Sequence, residues 1–184
     1  MQQSWQLDGA DSRCDIYVLP PLPTRQLVKL REGRHLEIKQ RIGTRHGLQQ
    51  WRVAMVAEFP LRPIEIRALA LSLGLTTPPP AAARLAAPNL LAALSEQAPD
   101  IRLRLADKAR LRFKRRGTLA EIVHVNLAGD SLFSIAVEDT RPDILRHAVD
   151  ELALSAYPNR DYGAQLSQIG QRLSLSDQSV ATAF

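Results

Sequence analysis

The chain has 184 residues, of which 24 are Lys or Arg and 19 are Asp or Glu, so its formal net charge is +5. Apolar residues make up 45% of the sequence, which is enough for a folded core and excludes a disordered chain. The charge is unevenly distributed, since residues 1–116 hold 20 basic and 10 acidic side chains, while residues 117–184 hold 4 and 9. The two parts are therefore expected to face different partners, or each other.

The sequence also excludes several classes of protein and site. No apolar run approaches the roughly 20 residues that span a bilayer, and the first residues lack the basic and apolar regions of a signal peptide. We therefore expect a cytoplasmic protein with no membrane partner. The single cysteine, Cys14, excludes an internal disulfide and a cysteine-built zinc site.

Period-two alternation of apolar and polar residues predicts strands in the first half of the chain. Within this half, two strands form a hairpin that places Leu30 opposite Leu36 and Lys29 opposite Glu37. The predicted strands of this half are residues 13–18, 28–31, 36–41 and 50–59.

The second half repeats the alternation. A loop at residues 106–108 would join two Arg-rich strands, 101–105 and 110–114, in a hairpin. A later hairpin turns at residues 129–131 and pairs Val123 with Val137, which places His124 and Glu138 together on its polar face. With the first half, this gives about eight antiparallel strands.

Helices and one linker complete the predicted organisation. Consecutive prolines from Pro78 to Pro80 restrict the backbone and mark a linker over residues 76–88. The linker divides a single domain, 1–184, into two pseudo-repeated halves, about 13–75 and 89–173. The predicted helices cover residues 63–73, 88–97, 142–152 and 162–173.

The alternation places most of the cations on one face of the predicted sheet. Like charges opposite one another destabilise a sheet unless something neutralises them. One interpretation is an ordinary solvated face, but such a face would mix the two signs more evenly. The predicted face carries eleven cations, Arg13, Lys29, Arg31, Lys39, Arg41, Arg52, Arg102, Arg104, Arg110, Arg112 and Lys114, and four carboxylates, Asp15, Glu37, Glu58 and Glu138.

Eight antiparallel strands can close on themselves and turn their polar face into a lumen. A lumen lined by Arg and Lys would bind a polyanion, most naturally a chain of phosphates, because guanidinium groups engage phosphate oxygens in pairs. The predicted fold is therefore α+β, an eight-stranded antiparallel barrel or tunnel with flanking helices.

Two adjacent segments, Leu-Val-Lys-Leu-Arg at residues 27–31 and Leu-Glu-Ile-Lys-Gln-Arg at 36–41, resemble the paired basic strands of the CYTH, or triphosphate tunnel, superfamily. This superfamily includes thiamine triphosphatases, inorganic triphosphatases and class IV adenylyl cyclases. The resemblance continues at residues 120–122, 135–139 and 159–162. It implies an eight-stranded tunnel in which basic side chains hold a triphosphate and carboxylates hold a divalent metal.

Carried over by position, the resemblance implies a phosphate site and a metal site for Mg²⁺ or Mn²⁺. The implied phosphate ligands are Lys29, Arg31, Lys39, Arg41, Arg52, Arg110 and Arg112, and Arg102 joins them as a cation of the same predicted face. The candidate metal carboxylates are Glu37, Glu121 and Glu138, although the alternation places Glu121 among the apolar side chains.

One segment departs from the family's pattern. The opening Glu-x-Glu-x-Lys strand of the family is absent, and its nearest equivalent, Arg-Cys-Asp-Ile-Tyr at residues 13–17, has one carboxylate instead of two. Magnesium prefers several oxygen ligands, so the substitution weakens the metal site while it leaves anion binding intact.

The sequence therefore predicts a protein that binds a triphosphate or another polyphosphorylated anion in a cationic tunnel. Metal-dependent triphosphate hydrolysis is the activity that the resemblance implies. The first alternative is a non-enzymatic module whose basic sheet face binds nucleic acid or an acidic protein. The second is a degenerate tunnel that serves only as a scaffold for protein interactions.

Overall fold

The structure, a computed structural model, describes residues 4–22, 24–79, 84–127 and 130–169. In these ranges the chain forms an antiparallel sheet and helices, and none of the helices is long and apolar enough to cross a membrane. The elements in chain order are β1 (Gln6–Leu19), β2 (Gln26–Arg31), β3 (His35–Arg45), β4 (Leu48–Glu58), α1 (Pro63–Leu73), α2 (Ala87–Gln97), β5 (Arg102–Arg115), β6 (Thr118–Leu127), β7 (Asp130–Glu138), α3 (Pro142–Glu151), a 3-10 turn (Leu154–Ala156) and α4 (Tyr162–Gln168).

The seven strands lie in the order β4-β3-β2-β1-β5-β6-β7, with every neighbouring pair antiparallel. The predicted α+β class and antiparallel sheet are confirmed, but in the described ranges the sheet is open, with β4 and β7 at its edges. The chain itself passes from one edge to the other. After β7 and α3 it reaches Asn159, whose side chain donates to the carbonyl of Gly47 (2.7 Å), in the turn between β3 and β4.

β5 is one strand of 14 residues, so the predicted loop at 106–108 is wrong. Ala106 lies opposite Asp15 and Lys108 opposite Arg13 on β1, and both Ala106 and Lys108 are buried. The joining of two predicted strands into one explains why the sheet has seven strands. Because even-numbered residues share a face in either arrangement, the prediction still placed the cations of this segment together.

Local signals predicted α1 and the first hairpin correctly. α1 begins with a proline, whose missing N–H costs nothing there, and ends at Gly74, whose φ of 72° is the left-handed conformation that favours glycine. The hairpin of β2 and β3 pairs Leu30 with Leu36, as predicted. The predicted helix 162–173 begins at the expected residue, and its part beyond residue 169 lies outside the described residues.

The β6–β7 hairpin forms in a different register from the predicted one. Val123 lies opposite Ser134 instead of Val137, a shift of three residues. An odd shift exchanges the two faces of one strand relative to the other. In the register of β5 and β6, His124 lies opposite Ala109, away from the cations, and stacks on Phe133 with ring centroids 4.6 Å apart, while Glu121 lies opposite Arg112 on the cationic side.

Helices α1 and α2 cover one face of part of the sheet. Their buried leucines pack on the apolar side chains of β1, β2, β3 and β5, in a core whose members include Leu30, Leu36, Leu69, Leu90 and Leu91. These strand positions alternate with the charged ones, so the cations lie on the opposite face. A smaller apolar cluster lies on the same face as the cations, where Leu166 of α4 packs with Leu19, Val123 and Val125.

The core predicts a large difference between two leucine substitutions. Leu30 has no exposed surface, whereas Leu71 on the outer side of α1 is 79% exposed. We expect Leu30→Ala to lower the free energy of unfolding by about 2–5 kcal/mol, and Leu71→Ala to change it by no more than about 0.5 kcal/mol. Urea unfolding followed by circular dichroism measures both. Equal effects would contradict the placement of the core.

Candidate functional site

The sheet face opposite α1 and α2 holds most of the ionised side chains of β1, β2, β3 and β5, and we call it the charged face. Strand register brings these side chains together from positions far apart in sequence. The charged face consists of Asp11, Arg13, Asp15, Tyr17, Lys29, Arg31, Glu37, Lys39, Arg41, Arg102, Arg104, Lys108, Arg110, Arg112 and Glu121.

Asp15 lies at the centre of this face and is completely buried. Its Oδ2 atom lies 3.0 Å from Nζ of Lys108, 3.3 Å from Nε of Arg13 and 3.5 Å from Nζ of Lys29. Burial raises the pKa of the Asp15 carboxyl, but attraction to Lys29, Lys108 and Arg13 outweighs it and holds the pKa below its ordinary value. Three cations thus share one ionised carboxylate.

Glu37 is the second acidic centre of the face. Its carboxylate lies 2.5 Å from Arg31, 3.7 Å from Lys39 and 3.8 Å from Lys29. Five cations therefore surround only two carboxylates, Asp15 and Glu37. The two centres share Lys29 and form what we call the cationic cluster, which consists of Arg13, Lys29, Arg31, Lys39 and Lys108 with the two carboxylates.

The cationic cluster holds more positive charge than its carboxylates neutralise, in a largely buried position. The exposed fractions of its basic side chains run from 2% for Lys108 to 35% for Arg31. Burial lowers the pKa of Lys29 to about 8, despite the attraction of Asp15 and Glu37. Burial lowers the pKa of Lys108 as well, against the attraction of Asp15. An added anion would stabilise the protonated form of both lysines.

Two aromatic rings enclose the ammonium group of Lys108. Nζ lies 4.7 Å from the ring centroid of Tyr17 and 4.1 Å from that of Tyr162, and the two rings are stacked 5.7 Å apart. Nζ also donates a hydrogen bond of 2.5 Å to the hydroxyl of Tyr17. Cation–π contacts of a desolvated ammonium are stabilising, so Lys108 is fixed in place by its neighbours.

A second group of charges lies where β1, β5 and β6 meet. Arg110 donates two hydrogen bonds to Asp11, at 2.7 and 2.9 Å, and lies 3.4 Å from Glu121, while Arg112 lies 3.2 Å from Asp11. Two cations here meet two carboxylates, so this group is balanced. Gly9 allows the close approach of Arg112, because a Cβ on it would lie 2.9 Å from the guanidinium.

α4 engages two of the predicted phosphate ligands. Arg41 lies 3.4 Å from Asp161, which also caps the first turn of α4. Arg102 donates to the carbonyl oxygen of Ser167 (3.0 Å), at the other end of this helix. These contacts place both guanidinium groups at the border between the charged face and α4.

Arg52 is the one predicted phosphate ligand that the sheet register places elsewhere. It lies opposite Gln40 and donates two hydrogen bonds to the Gln40 side chain, at 2.9 and 2.5 Å. A register shift between Ile38 and Lys39 exchanges the faces of β4 at this point. The uninterrupted alternation that predicted Arg52 on the charged face is therefore wrong there.

The three carboxylates predicted as metal ligands are not assembled into a metal centre in the described residues. β3 carries Glu37 and β6 carries Glu121, and three strands separate them in the sheet. Glu138 is exposed near the end of β7, opposite Leu119. No group of three or more His, Cys, Asp or Glu side chains in this part of the chain could hold a metal ion. The arrangement does not fit Mg²⁺ or Mn²⁺, which require several oxygen ligands.

Sequence reasoning missed Lys108 and Asp11 as members of the site. Lys108 fell in the predicted loop at 106–108, and Asp11 fell before the predicted start of the first strand. The alternation of Asp11, Arg13, Asp15 and Tyr17 was the signal that β1 begins earlier, because these four residues share one face.

The cationic cluster predicts a strong dependence of stability on the charge of Asp15. Asp15→Asn leaves Arg13, Lys29 and Lys108 buried without their shared carboxylate, and we expect it to lower the free energy of unfolding by about 3–5 kcal/mol. Asp143→Asn is the control, since the Asp143 side chain is 93% exposed. Urea unfolding compares the two variants, and similar small effects for both would contradict the central role of Asp15.

Lys29 predicts a particular dependence of stability on pH. Its pKa is about 8 in the folded protein and 10.5 ordinarily, so the unfolded chain binds more protons between these values. The free energy of unfolding should therefore rise with pH from 8 to 10.5, by up to about 3 kcal/mol from this group. In Lys29→Met this contribution is absent. Equal pH slopes in the two proteins, measured by urea unfolding, would rule out a depressed pKa of Lys29.

No family model, no curated protein and no solved structure matches the chain. The resemblance to the CYTH superfamily therefore stays a prediction from short motifs.

Proposed function

We propose that the charged face binds a polyphosphorylated anion, with an inorganic or organic triphosphate as the ligand class. The observation that carries the proposal is the charge imbalance of the cationic cluster, where five cations surround Asp15 and Glu37. Positive charge held away from water is costly. A bound anion with several negative charges would offset that cost.

The chemistry of the donors supports a phosphate chain as the anion. Arg13 and Arg31 carry planar guanidinium groups, which bind phosphate oxygens in pairs. The Nε atoms of both are buried and make no hydrogen bond to a described residue, although that of Arg13 lies 3.3 Å from Oδ2 of Asp15. The two lysines, Lys29 and Lys39, add point charges beside Glu37.

Because several of the cations are buried, a small ligand is favoured over the alternative of a nucleic acid. Binding to duplex DNA relies on side chains that reach phosphates at an accessible surface. The exposed fractions of Lys108, Lys29 and Arg13 are only 2%, 7% and 13%. A slender phosphate chain can approach such groups more closely than a duplex can. The proposal is confined to binding, because the described carboxylates do not assemble a metal centre.

The proposal predicts that tripolyphosphate binds the protein in the presence of a metal chelator. Calorimetric titration should give saturable binding, and Lys29→Met/Lys39→Met should weaken it by about tenfold or more, because each lysine is a direct charge partner. Arg67→Ala/Arg146→Ala removes the same net charge from α1 and α3 and should leave the affinity unchanged. Binding should also weaken above pH 8, as Lys29 loses its proton.

Three results would contradict the proposal. They are an absence of tripolyphosphate binding, equal affinity of the site variant and the wild type, and preferential binding of duplex DNA with a steep dependence on salt. Phosphate release with and without Mg²⁺, measured in parallel, tests the hydrolysis that the resemblance implies. Release that exceeds that of the Lys29→Met/Lys39→Met variant would extend the proposal from binding to catalysis.

A further inference from the structure

The face of the sheet opposite the charged face has an uncharged region on β1, β5, β6 and β7, which we call the apolar lattice. Register aligns its side chains in three rows across these four strands. None of the twelve residues is Asp, Glu, Lys or Arg, and one, His124, is titratable. The rows are Ser12, Ala109, His124 and Phe133; Ala10, Leu111, Ile122 and Ile135; and Leu7, Phe113, Ala120 and Val137.

The described part of the chain leaves most of this lattice uncovered. Eight of its twelve residues are exposed, the other four are partly exposed, and none is buried. On the same face of the sheet, the apolar side chains of β2, β3 and the adjoining parts of β1 and β5 are covered by α1 and α2. The lattice thus has the apolar pattern of a packed sheet face without a packing layer.

The exposed apolar area is of the size that a protein interface requires. The largest contributions come from Phe133, Leu7 and Ile135, which are 75%, 63% and 51% exposed, with Leu111 at 43% and Ile122 at 39%. Together these five side chains expose on the order of 500 Å². A pair of such faces would bury about 1,000 Å², close to the lower limit for specific interfaces, and the smaller residues between them would add to it.

The lattice is also self-complementary in shape. In two of its rows a large side chain, Phe133 or Ile135, lies on the edge strand β7, and a small one, Ser12 or Ala10, lies on β1 at the other side. A two-fold axis that runs along the strands, between β5 and β6, places β7 of one copy over β1 of another. Phe133 then packs over Ser12, and Ile135 over Ala10, while Leu111 meets Ile122 and Leu7 meets Val137.

The charges of the lattice and the positions of the helices are also compatible with this arrangement. Two uncharged lattices can meet without opposing like charges. Helices α1 and α2 lie on the β1 side of the lattice, because their core includes Ile16 and Val18 of β1 and the strands beyond it. The same axis puts the helices of the second copy on the β7 side of the first. Paired sheets stand about 10 Å apart, which is the thickness of one helical layer.

We propose that the apolar lattice is the contact surface of a homodimer, in which the sheets of two copies pack face to face about this two-fold axis. The inference is independent of anion binding, because the charged faces of both copies point away from the interface. The partner is a second copy of this chain, since the lattice is uncharged, its exposed area is sufficient for a dimer, and its two outer strands are complementary about the axis in two of the three rows.

Sedimentation equilibrium over about 1–100 µM protein tests the proposal. The wild type should be dimeric at the upper end of the range. Phe133→Lys/Ile135→Lys should weaken association by about tenfold or more, because it buries charge in the interface. Val53→Lys/Val56→Lys is the matched control, with the same added charge on two valines that are 58% and 59% exposed on the other edge strand. It should associate as the wild type does.

A wild type that is monomeric throughout, or a Phe133→Lys/Ile135→Lys variant that associates as well as the wild type, would overturn the proposal. Melting by circular dichroism establishes that each variant is folded.

A second experiment tests the axis directly in a Cys14→Ser background. A short bis-maleimide reagent should join copies of Ala10→Cys/Ile135→Cys into dimers. It should leave Ala10→Cys alone uncoupled, since the introduced thiols of the two copies would lie three strands, about 14 Å, apart across the sheet. Equal coupling of both would also refute the arrangement.

Discussion

A single buried carboxylate, Asp15, determines how the charged side of this protein is arranged. It lies on the central strand β1 and pairs with Arg13 on the same strand, Lys29 on β2 and Lys108 on β5. The two strands that flank β1 are thereby tied to it by charge as well as by backbone hydrogen bonds. Because one carboxylate neutralises only one of three cations, the same interaction that organises the sheet centre leaves it with excess positive charge.

The two faces of the sheet separate the apolar core from the buried charges. Leu30 and Leu36 face the helices and form the core, while Lys29 and Glu37, their neighbours in sequence, face the other way. Because successive side chains of a strand point to opposite faces, β2 and β3 can carry dense charge on one face and dense apolar packing on the other. The burial of charge has a free-energy cost that the core must offset.

The sequence predicted which residues share a face better than it predicted which strands pair. The face on which a side chain lies follows from local alternation, which placed Lys29, Arg31 and Lys39 together. Pairing depends on distant contacts, so the continuous strand β5 was read as two strands joined at residues 106–108, and Lys108 was lost from the site. A register shift had a similar effect in β4, because it leaves the local alternation unchanged while it moves Arg52 away from the charged face.

The most direct test of the account is the pKa of the Lys29 ammonium, followed by NMR of isotopically labelled lysine with Lys29→Met to assign the resonance. The account predicts a pKa of about 8 in the protein alone and a clear rise when tripolyphosphate is added, because the anion stabilises the protonated form. A pKa at its ordinary value of 10.5, unaffected by tripolyphosphate, would contradict both the buried excess of positive charge and its proposed role.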